Sequence, residues 1–227
     1  MLGEAVGFPK RGDSWLKTIL IGGILSLLSF LIIPAFFLQG YFLRVLAAGA
    51  REDPEPPTFS DWGDLFVTGL LFIVIAIGYF IVPTVLLVLV TVIVGVGTVA
   101  SGGPPDPSVV AGAGIASLLV LALAVLIYLL AAYLLPAAAT NYAVTGELGA
   151  AFRFGTVFEM ALTADYAVGW LLAIIVGIVF GVVGAALSVI IVGIFITFYG
   201  QMATYYLLGN GAGRSGAVGG SRAAVAE

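Results

Sequence analysis

Long apolar runs dominate the pattern of this chain, and they predict membrane-spanning helices. Residues 65–100 and 168–197 contain no charged side chain at all. A single span needs about 20 apolar residues, because the hydrocarbon core of a bilayer is about 30 Å thick. Together with the apolar runs near 19–38 and 109–135, they predict an all-α, polytopic bundle of transmembrane helices over residues 15–208.

Two of these runs are too long for one span each. At about 1.5 Å per residue, a helix over 65–100 would measure about 54 Å. We therefore expect breaks at Val82–Thr84, around Pro83, and near Gly181, Gly184 and Ser188, and a kink at Pro34 in a first helix that starts near Trp15. This partition gives about six spans made of Pro/Gly-broken helices, and four long spans are the alternative.

The polar stretches predict the remaining organisation. Six spans with an internal N-terminus put most Lys and Arg residues on the inner side, as is usual for membrane proteins. The sequence thus predicts a multi-pass cell-membrane protein with cytoplasmic N- and C-termini. The expected segments are a cytoplasmic N-terminal segment at 1–14, polar loops at 51–64 and 101–108, short amphipathic interfacial helices within 137–165, and a disordered tail at 209–227.

Two halves of the chain, about 15–100 and 109–208, show a weak internal similarity. Pro34 pairs with Pro136, and Asp61 pairs with Asp165, at nearly equal offsets. With three spans in each half, the second half would be inverted relative to the first. A 3+3 inverted repeat of broken helices is a recurrent transporter architecture. The alternative is a chance similarity, because membrane helices share Pro, Gly and aromatic positions.

The composition excludes several kinds of site chemistry but does not identify an activity. Only 9% of the residues are charged, and the chain has no His and no Cys. The most common metal ligands and the usual nucleophile–base pairs are therefore missing. We expect no metal site, no cofactor and no enzymatic activity. The net charge of −4 and the acidic loops disfavour a nucleic-acid partner and are typical of a halophilic organism.

Three amide side chains are the candidate substrate-binding residues. Gln39 and Asn141 follow Pro34 and Pro136 at matching places, and Gln201 lies in the last apolar run. Amides at membrane depth are costly unless they are paired, so they line a polar cavity or join helices. Small residues at Gly177, Gly181 and Gly184–Ala185 indicate close helix contact, either within the protein or with a second copy or another membrane protein.

Several segments carry a resemblance to a known family. They are W-L-K-T-I-L-I-G-G at 15–23, P-A-F-F-L-Q-G-Y-F-L-R-V-L at 34–46, F-S-D-W-G-D-L-F-V-T-G-L at 59–70 and L-P-A-A-A-T-N-Y-A-V-T-G-E-L-G-A-A-F at 135–152. In this order, over about residues 8–208, the chain resembles the haloarchaeal and prokaryotic membrane family catalogued as domain of unknown function 4013. The resemblance implies a multi-span membrane protein of archaeal type and implies no activity or cofactor.

Two functional hypotheses follow from these observations. The first is binding or passage of a small solute or lipid in a polar cleft between broken helices. The second is a non-transporting scaffold that holds a partner through its Gly-rich helix faces. The scaffold hypothesis predicts a tightly packed bundle without a polar cavity, and membrane lipids are expected partners in either case.

Overall fold

The described part of the chain is helical and contains no strand, which confirms the all-α prediction. The computed structural model describes residues 1–100, 107–188 and 191–219. The α-helices are α1 (Leu2–Gly7), α2 (Trp15–Leu27), α3 (Ile33–Arg51), α4 (Trp62–Ala100), α5 (Pro107–Thr145), α6 (Phe154–Ala161), α7 (Ala164–Leu187) and α8 (Val192–Arg214). Short 3-10 turns lie at Phe8–Lys10, Ser29–Leu31 and Leu148–Phe152.

Four described helices are long and apolar enough to cross a membrane, so the chain is a membrane protein. They are Ile33–Arg51, Trp62–Leu89, Gly114–Thr145 and Ala164–Leu187. Trp15–Leu27 is apolar but shorter. In the last three spans only 17% of the most apolar window is buried inside the protein, so most of each surface is available to lipid. The count of six spans stays a prediction.

The chain forms two compact units. The smaller one, Ala76–Tyr133, contains the inner parts of α4 and α5 as an antiparallel helix pair. Within it the hydroxyl oxygens of Thr84 and Tyr128 lie 2.6 Å apart, and the rings of Phe80 and Tyr128 stack with centroids 5.8 Å apart. A polar contact and a stacked pair of rings are thus among the contacts that join these two largely apolar helices.

The larger unit, Met1–Ile75 with Leu134–Glu227, has its core where α3 and α7 pack against α8. Tyr41 on α3 and Phe198 on α8 are fully buried there, with ring centroids 5.7 Å apart. The N-terminal segment takes part in this core, because Phe8 is also fully buried and its ring lies 4.2 Å from that of Tyr206. The polar N-terminal stretch therefore contributes apolar packing as well as a surface.

The predicted break at Pro83 is wrong, because α4 is continuous from Trp62 to Ala100 with Pro83 inside it. Proline removes one backbone donor and weakens the preceding turn. The Thr84 hydroxyl donates to the Phe80 carbonyl oxygen at 2.7 Å, at that turn.

The chain turns at two places, one before Pro34 and one next to Ser188, where a break was predicted. The predicted first helix is two helices, α2 and α3, separated by a turn in which Ile32 has φ +66°. Pro34 lies in the first turn of α3, where a missing N–H leaves no bond unmade. The second turn follows Ser188, between α7 and α8, whereas Gly181 and Gly184 lie inside α7. Helix pairs α2–α3 and α7–α8 are thus two hairpins with apolar turns.

The inverted repeat is also wrong, because the matched segments run in the same direction. Arg51 at the end of α3 donates from Nη2 to the Val144 carbonyl oxygen near the end of α5, at 3.4 Å. The two helices that follow Pro34 and Pro136 therefore end on the same side. The reason is that the chain does not turn at Pro83: one continuous helix, α4, lies between α3 and α5 where two were predicted, so α3 and α5 run in the same direction.

This direction can be tested by labelling, since the chain has no native cysteine. We expect Ser60→Cys and Gly149→Cys to react with a membrane-impermeant maleimide from the same side of the membrane. Both residues are exposed, Ser60 in the loop between α3 and α4 and Gly149 in the 3-10 turn that follows α5. Labelling from opposite sides of sealed vesicles would restore the inverted arrangement.

The last helix extends beyond the predicted start of the tail. Helix α8 continues to Arg214, with Asn210 buried, so the prediction of a disordered tail from 209 is wrong for residues 209–214. Residues 220–227 lie outside the described residues, as does most of the predicted loop at 101–108. Short helices do occur within 137–165, at Leu148–Phe152 and α6. Their position at the membrane interface stays a prediction.

Candidate functional site

Gln39 and Gln201 line the same cleft, as the cavity hypothesis requires. The cleft has a volume of about 430 Å³ and lies between the α2–α3 hairpin and the turn end of the α7–α8 hairpin. We call it the polar cleft, and its lining residues are Ser26, Ser29, Ala35, Leu38, Gln39, Phe42, Ser188, Ile194, Thr197 and Gln201. Six of these ten side chains are polar and none is charged.

The four hydroxyl groups of the polar cleft face it as acceptors. Each one donates its proton to the carbonyl oxygen four residues earlier in its own helix. The bonds are Ser26 to Gly22 at 2.7 Å, Ser29 to Leu25 at 2.9 Å, Ser188 to Gly184 at 2.7 Å and Thr197 to Gly193 at 2.9 Å. A hydroxyl oxygen keeps two lone pairs after it donates, so all four can accept a hydrogen bond from a ligand.

The two amides supply the donors. Gln39 is half-buried, and its Oε1 accepts a hydrogen bond from the Tyr205 hydroxyl at 3.5 Å. Its NH₂ group is the end that can donate to a ligand. Gln201 is exposed and brings a second amide from α8. The polar cleft therefore offers both donors and acceptors without any charge.

Small residues on α2 make room for this arrangement. A Cβ atom at Gly22 would overlap the ring of Phe198, and one at Gly23 would overlap the ring of Phe195. Helix α2 can thus lie directly on α8, which brings Ser26 and, in the turn after α2, Ser29 into the lining of the cleft. Sequence analysis did not use these glycines or serines, although the G-G-x-x-S-x-x-S spacing from Gly22 places them near one face of a helix.

Asn141 lies elsewhere and has a structural role. It is fully buried; its Nδ2 donates to the Ala150 carbonyl oxygen at 2.8 Å, and its Oδ1 accepts from the Gly219 backbone N–H at 2.9 Å. The amide therefore joins α5 to the following 3-10 turn and to the segment after α8. Its position after Pro136 resembles that of Gln39 after Pro34, but the two amides do not meet in one site.

A second cleft, of about 400 Å³, contains charged groups and lies among the ends of α3, α4 and α5. In the wall of this cleft Arg44 connects α3 to the start of α4. It donates to Asp64 Oδ2 and to the Ser60 carbonyl oxygen, both at 2.8 Å. Arg51, Asp53 and Glu55 line the same space. Ion pairs that are this exposed contribute up to about 1 kcal/mol each, so the pair mainly orients α3 against the start of α4.

A third polar cluster joins α3 to the end of α8. Arg214 Nε donates to Glu52 Oε1 at 2.9 Å, and buried Asn210 donates to the same oxygen at 3.1 Å. The hydrogen bond that Arg214 donates to the Glu52 carboxylate raises the pKa of Arg214 above its usual value. Among the residues that the structure describes, no group of three or more acidic side chains is close enough to hold a metal ion.

The comparison with known families gives one match. The pattern of the family described as "Protein of unknown function (DUF4013)" matches residues 27–189, well over half of the chain. The chain belongs to the DUF4013 family. No curated protein and no solved structure matches it.

The DUF4013 match covers part of the polar cleft. It includes Gln39 on α3 and ends at residue 189, before Gln201. It also includes Ser60 and Asp64, which hold Arg44 in the charged cleft. The F-S-D-W-G-D segment, the most specific part of the resemblance, therefore has a structural explanation in the packing of α3 against α4. The family description assigns no activity to either cleft.

Proposed function

We propose that this DUF4013 protein binds a small ligand with an uncharged polar group in the polar cleft. The observation that carries this proposal is that Gln39 and Gln201, far apart in the chain, converge on one cleft with four hydroxyl acceptors and no charge. Polar side chains grouped at membrane depth are costly unless they have a role in packing or binding. Each hydroxyl already donates to a carbonyl oxygen of its own helix. The lone pairs of the hydroxyl oxygens and the amide NH₂ groups therefore remain available to a ligand.

We propose binding in preference to passage. The case for passage depended on an inverted repeat, in which two halves alternate around a central site. The common direction of α3 and α5 removes that argument. The scaffold hypothesis expected a bundle without a polar cavity, which the polar cleft disfavours. It also relied on free glycine faces; a Cβ atom at Gly184 would overlap Thr197 of the same chain, and only Gly181 of these glycines has no neighbouring atom within 4 Å.

We also propose that the end of the larger unit formed by the ends of α3, α5 and α8 faces the cytoplasm, together with the chain termini. Arg51, Arg153 and Arg214 lie in this region, on or next to those helix ends. Such a concentration of arginines is typical of the cytoplasmic side. Neither cleft contains a nucleophile–base pair that supports catalysis, so we propose a binding protein and not an enzyme.

Blocking the polar cleft is the direct test of binding. The wild-type protein and Ala35→Phe would be purified identically, and small molecules in their aqueous and organic extracts identified by mass spectrometry. Ala35 lines the cleft, so a phenyl ring there is expected to reduce the bound ligand at least tenfold. Gln39→Leu/Gln201→Leu should reduce it as well, because it removes the amide donors.

The matched control is Ala186→Phe, the same substitution at an exposed position on α7. It should keep the wild-type ligand content and the wild-type melting temperature. Equal ligand content in the wild type, Ala35→Phe and the double leucine variant would contradict the proposal, provided that all variants melt alike.

A further inference from the structure

We infer that the ligand of the polar cleft is an uncharged lipid, whose hydroxyl-bearing head group enters the cleft from the hydrocarbon core. This inference rests on the proposed function and adds the chemical class of the ligand. It depends on three properties of the site: its apolar rim, its separation from the charged residues of its helices and its lack of charge.

The rim of the polar cleft is apolar. On the α2–α3 turn, Phe30 is 76% exposed and Ile33 is 60% exposed. On the α7–α8 turn, next to Ser188 of the cleft, Ile191 and Val192 are both more than half exposed. Large apolar side chains grouped in this way are unfavourable in water and favourable in a bilayer. A ligand that reaches the cleft past this rim comes from lipid.

The polar cleft is separated from the charged residues of its own helices. Helix α2 has 13 residues and measures about 20 Å. Its charged residue Lys17 lies nine residues before Ser26, or about 14 Å along the axis. On α3, Gln39 lies five residues before Arg44, or about 8 Å. The charged side chains of these helices therefore lie on one side of the cleft, and the apolar turns bound its other side.

The chemistry of the lining selects the head group. A hydroxyl can donate to Ser26, Ser29, Ser188 or Thr197 and accept from the amide of Gln39 or Gln201, so both of its capacities are used. A charged head group would lose its hydration without meeting an opposite charge, which is strongly unfavourable. A volume of about 430 Å³ holds a head group but not whole acyl chains, which would extend past the apolar rim. Diacylglycerols and long-chain alcohols have this character.

Photo-crosslinking in nanodiscs can test this class directly. The probes are a diazirine-bearing diacylglycerol and a phosphatidic acid with the same chains and the same diazirine, so that only the head-group charge differs. We expect the diacylglycerol to label peptides of α2, α3 and α8 around the cleft at least fivefold more than the phosphatidic acid does. The labelling should fall severalfold in Gln39→Leu/Gln201→Leu and in Ala35→Phe but persist in Ala186→Phe.

Each other outcome has a definite meaning. Equal or stronger labelling by phosphatidic acid, or cleft labelling unchanged by Ala35→Phe, would overturn the uncharged-lipid class. Absence of cleft labelling, with a water-soluble compound bound to the wild type but lost from Ala35→Phe, would overturn the lipid inference and leave the proposed function in place. Absence of both would overturn both.

Discussion

Gly209→Ala is expected to destabilise the protein by about 3 kcal/mol, although it adds only one methyl group. A Cβ atom at Gly209 would overlap the Leu46 carbonyl oxygen of α3, so the two helices would have to separate. Overpacking of this kind usually costs about 1–3 kcal/mol, and backbone cannot move aside as a side chain can. The free energy of unfolding, measured by denaturant titration in mixed micelles with circular dichroism, is the quantity to compare.

Gly181→Ala is the matched control. Gly181 is also inside a helix, but no atom lies within 4 Å of the Cβ position there. Alanine is about 1 kcal/mol more favourable than glycine within a helix, so this variant should be equal to or slightly more stable than the wild type. If Gly209→Ala were as stable as Gly181→Ala, the close crossing of α3 and α8 would be contradicted.

The same contact pattern explains why the core of the larger unit has so many glycines. A Cβ atom at Gly49 on α3 would overlap the Tyr206 carbonyl oxygen, and one at Gly213 would overlap the Ala50 carbonyl oxygen. Membrane helices gain little from the hydrophobic effect when they associate, so they depend on close packing made possible by small residues. Glycines from both helices therefore hold α3 and α8 together.

These glycines also show where sequence reasoning failed. A Gly-rich stretch such as G-N-G-A-G at 209–213 has the composition of a flexible linker, and we predicted a tail from it. Composition does not distinguish a flexible glycine from one that lies against a neighbouring backbone. The difference depends on the partner helix, which is distant in sequence. The all-α fold class, by contrast, was predicted correctly, because it follows from the apolar runs, which are a local property of the sequence.

The candidate site was predicted only in part, because some of its features are local in the sequence and others are not. Gln39 and Gln201 were selected because an amide in an apolar run needs a partner, and this local argument led to the cleft. The turn before α3 could not be obtained in this way, because Ile32 adopts a positive φ without any Gly or Pro signal of its own. The repeat was assigned the wrong orientation because Pro83 was read as a break, whereas α4 continues through it.

Asn141→Leu is expected to reduce the stability of the protein and Gln201→Leu to reduce its ligand binding, although both replace an amide with leucine. Asn141 is fully buried, and its removal would leave the Ala150 carbonyl and the Gly219 N–H without their side-chain partner. The Ala150 carbonyl keeps the Arg153 N–H as a donor, so the half-buried Gly219 N–H is the group that loses its partner. An unsatisfied group costs about 1–3 kcal/mol, and we expect a loss of about 2 kcal/mol in the free energy of unfolding. Gln201 is exposed, and its replacement should change stability by less than about 0.5 kcal/mol.

Ligand content per folded molecule should show the reverse order. Gln201→Leu removes a donor from the polar cleft and is expected to reduce the bound ligand severalfold, whereas folded Asn141→Leu should retain the wild-type amount because Asn141 does not line the cleft. The measurements are denaturant titration for stability and mass spectrometry of extracts from the folded fraction for ligand. Loss of ligand from folded Asn141→Leu would mean that Asn141 contributes to the binding site. A stability loss in Gln201→Leu as large as in Asn141→Leu would mean that both amides act by joining helices.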